Sequence, residues 1–194
     1  MEPIVLASGS IRRHEYFKTL HLPFSIMVPG IDEDNKDMLP PEDLAKSLAK
    51  RKIEAVIKNL SNRIPRWICS ADTLISLDGA VIGKSKNREE AKETLVKLAG
   101  RSHNVITAIA LFNGRERKTD CRLNISAVRF AKLQEKEIEW YLDTCEWQGS
   151  AGAYKVQGLA ACFIDRIEGS YHSIAGFPVH EFYKMLMDNG YDYS

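Results

Sequence analysis

Short runs of uninterrupted apolar residues alternate along this chain with longer stretches in which apolar residues recur every three or four positions, the pattern of buried strands among amphipathic helices. Ile4-Val5-Leu6-Ala7 reads as a buried strand, Ser8-Gly9-Ser10 as a turn, and Arg12-Arg13 as the opening of a helix that reaches about Leu20. Pro40-Pro41-Glu42-Asp43 marks a second helix start, because proline is tolerated in the first turn and acids there face the positive end of the dipole. Beyond it Leu44, Leu48, Ala55, Val56 and Leu60 fall on one broad face at about 100° per residue. Lys52 points along that face one turn after Leu48. It is either a lysine that snorkels to water or a buried ammonium aimed at an anion.

Trp67-Ile68-Cys69-Ser70-Ala71 reads as a second buried strand that ends on Asp72-Thr73. Leu74 to Leu77 and Ala80 to Ile82 then flank Asp78-Gly79, a two-residue hairpin signal, and the second arm ends at Gly83-Lys84. Asn87 with Glu90 resembles a capping box, Ala91, Leu95 and Leu98 form an apolar stripe, and Gly100 suits the position just past the helix. Val105 to Phe112 and Leu123 to Phe130 predict strands around a turn at Asn113-Gly114, Gln134 to Leu142 a helix, and Ala161 to Ile167 a further strand. Pro178 to Met187 predicts a helix with Val179, Phe182, Tyr183 and Leu186 on one face. Strands alternating with helices, with hairpins among them, specify an α/β fold with a mixed sheet.

A length of 194 residues suits one domain, or two lobes around one cleft, with a substantial core. The net charge of +1, from 27 basic and 26 acidic residues, gives no electrostatic footprint for nucleic acid or an acidic membrane surface. Any phosphate ligand is therefore expected to be small and held by a local cluster. Cys69, Cys121, Cys145 and Cys162 lie far apart, with no C-x-x-C pair and no histidine spaced to complete a zinc site. They read as reduced, mostly packed residues of a cytoplasmic protein. The run from Ile4 to Ala7 is too short for a signal peptide, no stretch approaches the ~20 apolar residues of a membrane span, and the Asn124-Ile125-Ser126 sequon is expected to be an accident.

The isolated charges carry the chemistry. Two arginines stand at the mouth of one strand-to-helix turn, beside the small residues Ser8 and Gly9, and a carboxylate stands at the end of another strand. Small residues let backbone N–H groups approach an anion, a helix N-terminus adds partial positive charge, and a carboxylate can hold a cation. Asp32, Glu33 and Asp34 form an acidic loop, read as solvated surface or as further metal ligands. Gly83-Lys84-Ser85 is no P-loop, because Asp78 stands where the motif needs glycine and the segment follows a hairpin. Ser8-Gly9-Ser10 does not make a dinucleotide fingerprint, and His172 alone reads as a structural histidine. With no G-x-S-x-G elbow and no context for a cysteine nucleophile, covalent catalysis is disfavoured. What remains is metal-assisted hydrolysis of a phosphate ester or anhydride. A divalent ion on Asp72 and Glu33 would lower the pKa of a bound water, while Arg12, Arg13, Lys52 and Lys84 would hold a polyphosphate. Four cations facing two carboxylates suit a nucleoside triphosphate.

The segments Leu6-Ala7-Ser8-Gly9-Ser10-x-Arg12-Arg13-x-Glu15, Asp32-Glu33, Ala71-Asp72-Thr73, Gly83-Lys84, Leu98-x-Gly100-Arg101-x-His103-x-Val105, Ala151-Gly152-Ala153-Tyr154-x-x-Gln157-Gly158 and Gly169-Ser170-Tyr171-His172 occur in this order. Together they resemble the Maf family of nucleoside triphosphate pyrophosphatases, also called septum formation inhibitor proteins, over nearly the whole chain. The resemblance implies one domain spanning residues 1–194, related to inosine triphosphate pyrophosphatases, with a mixed, strongly bent β-sheet flanked by helices and two lobes around a central cleft. It also implies hydrolysis to the monophosphate and pyrophosphate, a divalent cation such as Mg²⁺ or Mn²⁺, and a homodimer. It makes Asp72 the general base or metal-bound carboxylate, and associates Arg12, Thr73 and Gln157 with substrate choice.

Ala71-Asp72-Thr73 with Gln157-Gly158 resembles the branch acting on dTTP and UTP, whereas the 7-methyl-GTP branch carries Ser-Asp-Gln and Ser-Glu-Gly. A glutamine amide offers a donor and an acceptor to a pyrimidine edge, while glutamate only accepts. Three departures stand out. Ser10-Ile11-Arg12-Arg13 replaces Ser-Pro-Arg-Arg, Gly83-Lys84-Ser85 replaces Gly-Lys-Pro, and Gly149-Ser150-Ala151-Gly152 replaces Asp-Lys-Ala-Gly, which removes a charge pair beside the Gln157 loop. The alternatives are a catalytically weak nucleotide-binding regulator of the same fold, or a pyrophosphatase preferring 7-methyl-GTP or another non-standard purine.

Overall fold

The structure, a computed structural model, describes residues 1–60 and 64–193. Strands β1 (Ile4–Leu6), β2 (Phe24–Ile26), β3 (Trp67–Leu77), β4 (Ala80–Ile82), β5 (Ser102–Asn113), β6 (Lys118–Phe130) and β7 (Ile164–Glu168) alternate with helices. These are α1 (Ile11–Thr19), α2 (Pro41–Asn59), α3 (Arg88–Leu98), α4 (Glu135–Asp143), α5 (Tyr171–Ile174) and α6 (Val179–Asp188). Among the described residues the seven strands form one sheet in the order β2-β1-β3-β5-β6-β7, with β4 on β3. β1 is parallel to β2 and β3, while β3/β4 and β6/β7 are antiparallel, so the sheet is mixed as the alternation of elements predicts. Among the described residues no helix is long and apolar enough to cross a membrane.

The chain divides into two compact units, Met1–Asp72 with Thr107–Asn124 and Gly176–Ser194, and Thr73–Ile106 with Ile125–Ala175. In the first unit β1 lies between β2 and β3, with Ile4 paired to both Phe24 and Trp67. Its core gathers Ile4, Leu6, Phe17, Trp67, Ile109, Phe177, Phe182 and Leu186. Residues Trp67 to Asp72 of β3 are all buried, because both faces of the strand are covered. Trp67, Cys69 and Ala71 point into that core. The period of two turns Ser70 and Asp72 the other way, toward α2, where the Ser70 hydroxyl donates to Ala49 O across 2.6 Å.

In the second unit α3 buries Ala91, Leu95 and Leu98, and α4 buries Ile138, Tyr141 and Leu142. Asn87 caps α3 by accepting from the Glu90 N–H at 2.8 Å, although the Glu90 carboxylate turns to the Lys86 N–H rather than closing the box. Asp78 and Gly79 both take positive φ, 53° and 81°, as a tight two-residue hairpin requires.

Several expectations from the sequence are corrected. Asp72 does not end a strand: β3 runs on through it to Leu77 and is itself the first arm of the hairpin. On α2 the buried stripe is Leu44, Ala45, Leu48, Ala49, Lys52, Ile53 and Val56, and Ala55 and Leu60 are only partly buried. Leu159–Phe163 forms a 3-10 helix, so β7 begins only at Ile164. On α6 the buried positions are Phe182, Met185 and Leu186, and Tyr183 faces solvent. Only Cys69 is buried; Cys121 is half-buried, and Cys145 and Cys162 are exposed.

Candidate active site

In the first unit, the end of β1 and the start of α1 form a cationic turn. The Ser8 hydroxyl accepts from the Ser10 N–H and from Arg13 Nη1, both at 3.2 Å, while Arg13 Nε donates to Gly176 O at 2.9 Å. His14 Nε2 lies 2.9 Å from Ser8 O. The first turn of α1 carries Arg12 and Arg13 and no acid, which sets positive side chains at the positive end of the dipole. That arrangement suits an anion. Burial pulls the Arg13 guanidinium below its ordinary range, and the charges of Asp72 and Glu33 oppose that pull. Burial does the same to Arg12, opposed by Tyr16 and Glu15. Both remain cations, because arginine does not lose its proton in proteins.

The face of β3 turned to α2 brings the second group together. Ala49 and Lys52 lie one turn apart on α2, so the side chain beyond the Ser70 contact is Lys52, and the side chain beyond Ser70 on the strand is Asp72. Lys52 Nζ donates to Asp72 Oδ1 at 2.6 Å and pairs with Glu33 Oε1 at 2.8 Å. Lys52 is therefore a buried ammonium, and the anions it meets are the protein's own carboxylates. Asp72 Oδ2 is buried and has no hydrogen-bond partner. An orphaned carboxylate oxygen is costly unless something satisfies it, which marks this atom as available to a water, a proton or a cation.

The acidic loop divides by partner. Asp32 pairs with Lys36 at the surface, while Glu33 reaches Lys52. Arg51 Nη2 donates to Asp32 O at 2.7 Å and holds that loop beside α2. Arg51 was not singled out from the sequence; its position next to Lys52 is the signal that points to it.

The sequence-predicted residues thus fall into two sets. Ser8 with Arg13, and Lys52 with Glu33 and Asp72, are joined by direct contacts in the first unit, where Arg12 also stands. Thr73, Lys84 and Gln157 belong to the second. There Lys84 pairs with Ala151 through an antiparallel bridge and the Gly152 N–H donates to Gly83 O at 3.1 Å, so Gly83-Lys84 and Ala151-Gly152 form one local structure. Gly152, at φ +65°, faces the Ile75 side chain so closely that a Cβ would collide with it. Gln157 is exposed in the turn that follows.

Asp72 and Glu33 are hard oxygen donors of the kind that Mg²⁺ or Mn²⁺ takes, and Asp72 Oδ2 has an unused lone pair. Among the described residues no group of three or more histidine, cysteine, aspartate or glutamate side chains could hold a metal ion. A divalent ion held by Asp72 and Glu33 would have to take its other ligands from substrate and water, and Lys52 already occupies one oxygen of each carboxylate.

The Maf family model, described as Maf-like protein, matches residues 3–189, and the chain belongs to that family. A protein of Symbiobacterium thermophilum named dTTP/UTP pyrophosphatase is 39% identical over 191 residues, covering 98% of this chain and 96% of the relative. Proteins of the same name from Thermus thermophilus and Pelotomaculum thermopropionicum are 38% and 40% identical, covering 97% and 99% of this chain and 96% and 99% of the relatives. Among solved structures, the Ham1 protein of Staphylococcus aureus is similar at a TM-score of 0.48 and 19% identity, over 67% of this chain and 72% of that one.

Proposed function

We propose that this chain hydrolyses dTTP and UTP to the monophosphate and pyrophosphate, with Asp72 as the base. The observation that carries the reaction type is the Asp72 carboxylate: one oxygen is held by Lys52, and the other is buried without a partner. Lys52 fixes the carboxylate's orientation, so Oδ2 is the atom that takes the proton. Water attacks the α-phosphorus, the bond to the bridging oxygen of the β-phosphate breaks, and pyrophosphate leaves. Arg12, Arg13 and Ser8 bind the triphosphate at the start of α1, where the helix dipole favours negative charge. Asp72 and Glu33 would hold a divalent cation, Mg²⁺ or Mn²⁺, which when bound neutralises phosphate oxygens and lowers the pKa of a coordinated water.

The roles of Lys84, Thr73 and Gln157 rest on the family motifs in which they stand: Lys84 on phosphate charge that grows in the transition state, Thr73 and Gln157 on the base. The pyrimidine preference is supported by the relatives' names and by the Gln157 amide, which can donate to a pyrimidine carbonyl and accept from its ring N–H. In this reading residues 1–194 act as one functional domain in the cytoplasm, as a homodimer.

A second reading, a nucleotide-binding regulator with weak catalysis, is favoured by Gly149-Ser150, which leaves no charge pair where the family has Asp-Lys. Pyrophosphate release from dTTP, UTP, GTP and 7-methyl-GTP with Mg²⁺ or Mn²⁺ decides between them. The expected result is fastest release from dTTP and UTP. Nucleotide binding without release would establish the regulator, and much faster release from 7-methyl-GTP would overturn the pyrimidine assignment.

A further inference from the structure

Beyond α4 the chain turns through Thr144 and through Cys145 at φ +57°, and delivers Glu146 toward the segment after Gln157. The turn is braced from within: the Thr144 hydroxyl donates to Tyr141 O at 2.6 Å and accepts from the Glu146 N–H at 3.2 Å. The Glu146 carboxylate then accepts from two consecutive backbone N–H groups, Leu159 on Oε2 at 3.0 Å and Ala160 on Oε1 at 3.3 Å. These open the 3-10 helix Leu159–Phe163, whose first N–H groups have no partner inside the helix. The Tyr141 hydroxyl donates to the same carboxylate at 3.2 Å. Burial, reinforced by the Glu146 charge, pushes that phenol up and keeps it a donor.

Gln157 is therefore bracketed. On one side the Gly158 N–H closes the turn onto Lys155 O at 3.1 Å, and on the other Leu159 and Ala160 are tied to Glu146. Gly158 packs so closely on Glu146 that a Cβ there would overlap all three carboxyl atoms. Among the described residues the Gln157 amide itself makes no hydrogen bond, so its pose is set by this backbone frame.

We propose that Glu146 is the positioning residue of the base-reading loop: its carboxylate fixes the backbone from which Gln157 meets the pyrimidine, so substrate selectivity depends on a side chain that does not touch substrate. The inference rests on Gln157 reading the base. Misplacing a recognition group by about 1 Å is enough to cost on the order of 10²-fold. A carboxylate that only capped the 3-10 helix would affect stability and leave selectivity alone.

The test is steady-state hydrolysis of UTP and GTP by wild type, Glu146→Ala, Glu146→Gln, Gln157→Ala and the Glu146→Ala/Gln157→Ala double variant, with melting curves for each. Glu146→Ala is expected to raise KM for UTP about tenfold and to lower the UTP-over-GTP ratio in kcat/KM about tenfold. The double variant should lose no more selectivity than Gln157→Ala alone. Equal losses on UTP and GTP in Glu146→Ala, with Gln157→Ala non-selective, would overturn the positioning role and leave the base reading standing. A wild-type ratio in Gln157→Ala would overturn the base reading, and this inference with it. If Glu146→Ala does not fold, Glu146→Gln keeps the shape and one acceptor oxygen. Its ratio must then fall at least about threefold while its melting temperature stays within a few degrees, and an unchanged ratio overturns the proposal.

Discussion

Lys52 donates to Asp72 Oδ1 across 2.6 Å with only 8% and 7% of the two side chains exposed, and it reaches the half-exposed Glu33 at 2.8 Å. A cation on an apolar helix face thus has a structural reason to be there, separate from any role toward phosphate. Burying Asp72 without a counter-charge would be costly, and Lys52 supplies one from the facing helix. The pair therefore serves folding as well as chemistry.

Lys52→Met keeps the apolar stem and removes the ammonium, leaving the Asp72 charge buried and unpaired. Breaking a buried ion pair from one side typically costs about 3–5 kcal/mol. We expect denaturant melts at pH 7 to show a loss of that order, together with a loss of turnover. A variant within about 1 kcal/mol of wild type would mean that the pair contributes little to folding.

Asp72→Asn should behave differently. The amide stays close to isosteric, Lys52 retains Glu33, and the atom lost is the proton acceptor. Turnover is expected to fall by about 10² to 10⁴, the usual contribution of a general base, while the melting temperature falls less than in Lys52→Met. Activity within a few-fold of wild type on a folded protein would remove Asp72 from the chemical step.

Local signals were the legible part of this chain. The four-residue apolar run into Ser8-Gly9-Ser10, the Asp78-Gly79 turn and the Asn87 cap each specify their element through neighbours within a few residues, and each is found as read. What was hidden depends on distant partners. Asp72 looks like a strand terminus because its counter-charge, Lys52, stands twenty positions earlier, and β3 runs on through it to pair with β4. Ala161 to Phe163 have the apolar composition of a strand, yet the segment coils because Glu146 satisfies the N–H groups at its start. The site residues were found from isolated charge. Their supports, Arg51, Gly176 and Glu146, act through backbone atoms or onto them, and only Arg51 carries a mark in the sequence, its place beside Lys52.

Ser150 offers a test of the position where the family's charge pair is missing. It is buried, and its hydroxyl has no hydrogen-bond partner. A buried unsatisfied polar group costs about 1–3 kcal/mol, so Ser150→Ala is expected to raise stability by about 1 kcal/mol and to leave kcat/KM for UTP as in wild type. A destabilised variant would show that the hydroxyl does find a partner in solution.

His103 makes the fold acid-sensitive. Its Nε2 lies 2.8 Å from the Tyr154 hydroxyl, its Nδ1 is buried with no partner, and Phe130 and Tyr154 pack edge-on against the ring at 5.2 and 5.5 Å. Burial lowers the imidazole from its ordinary 6.5 to about 4. Between those values the unfolded chain binds a proton that the folded protein refuses, so stability falls as pH drops from about 6.5 to about 4 and falls no further below that on account of this residue. The full loss is on the order of 3 kcal/mol, from about 1.4 kcal/mol per pH unit. His103→Gln retains a polar partner for Tyr154 and cannot titrate. It should be less stable than wild type at pH 7, and that gap should shrink by about 2 kcal/mol near pH 4.5 in urea melts run at both values. A gap that stays constant across that range would mean that His103 takes up its proton equally well in the folded and unfolded chain.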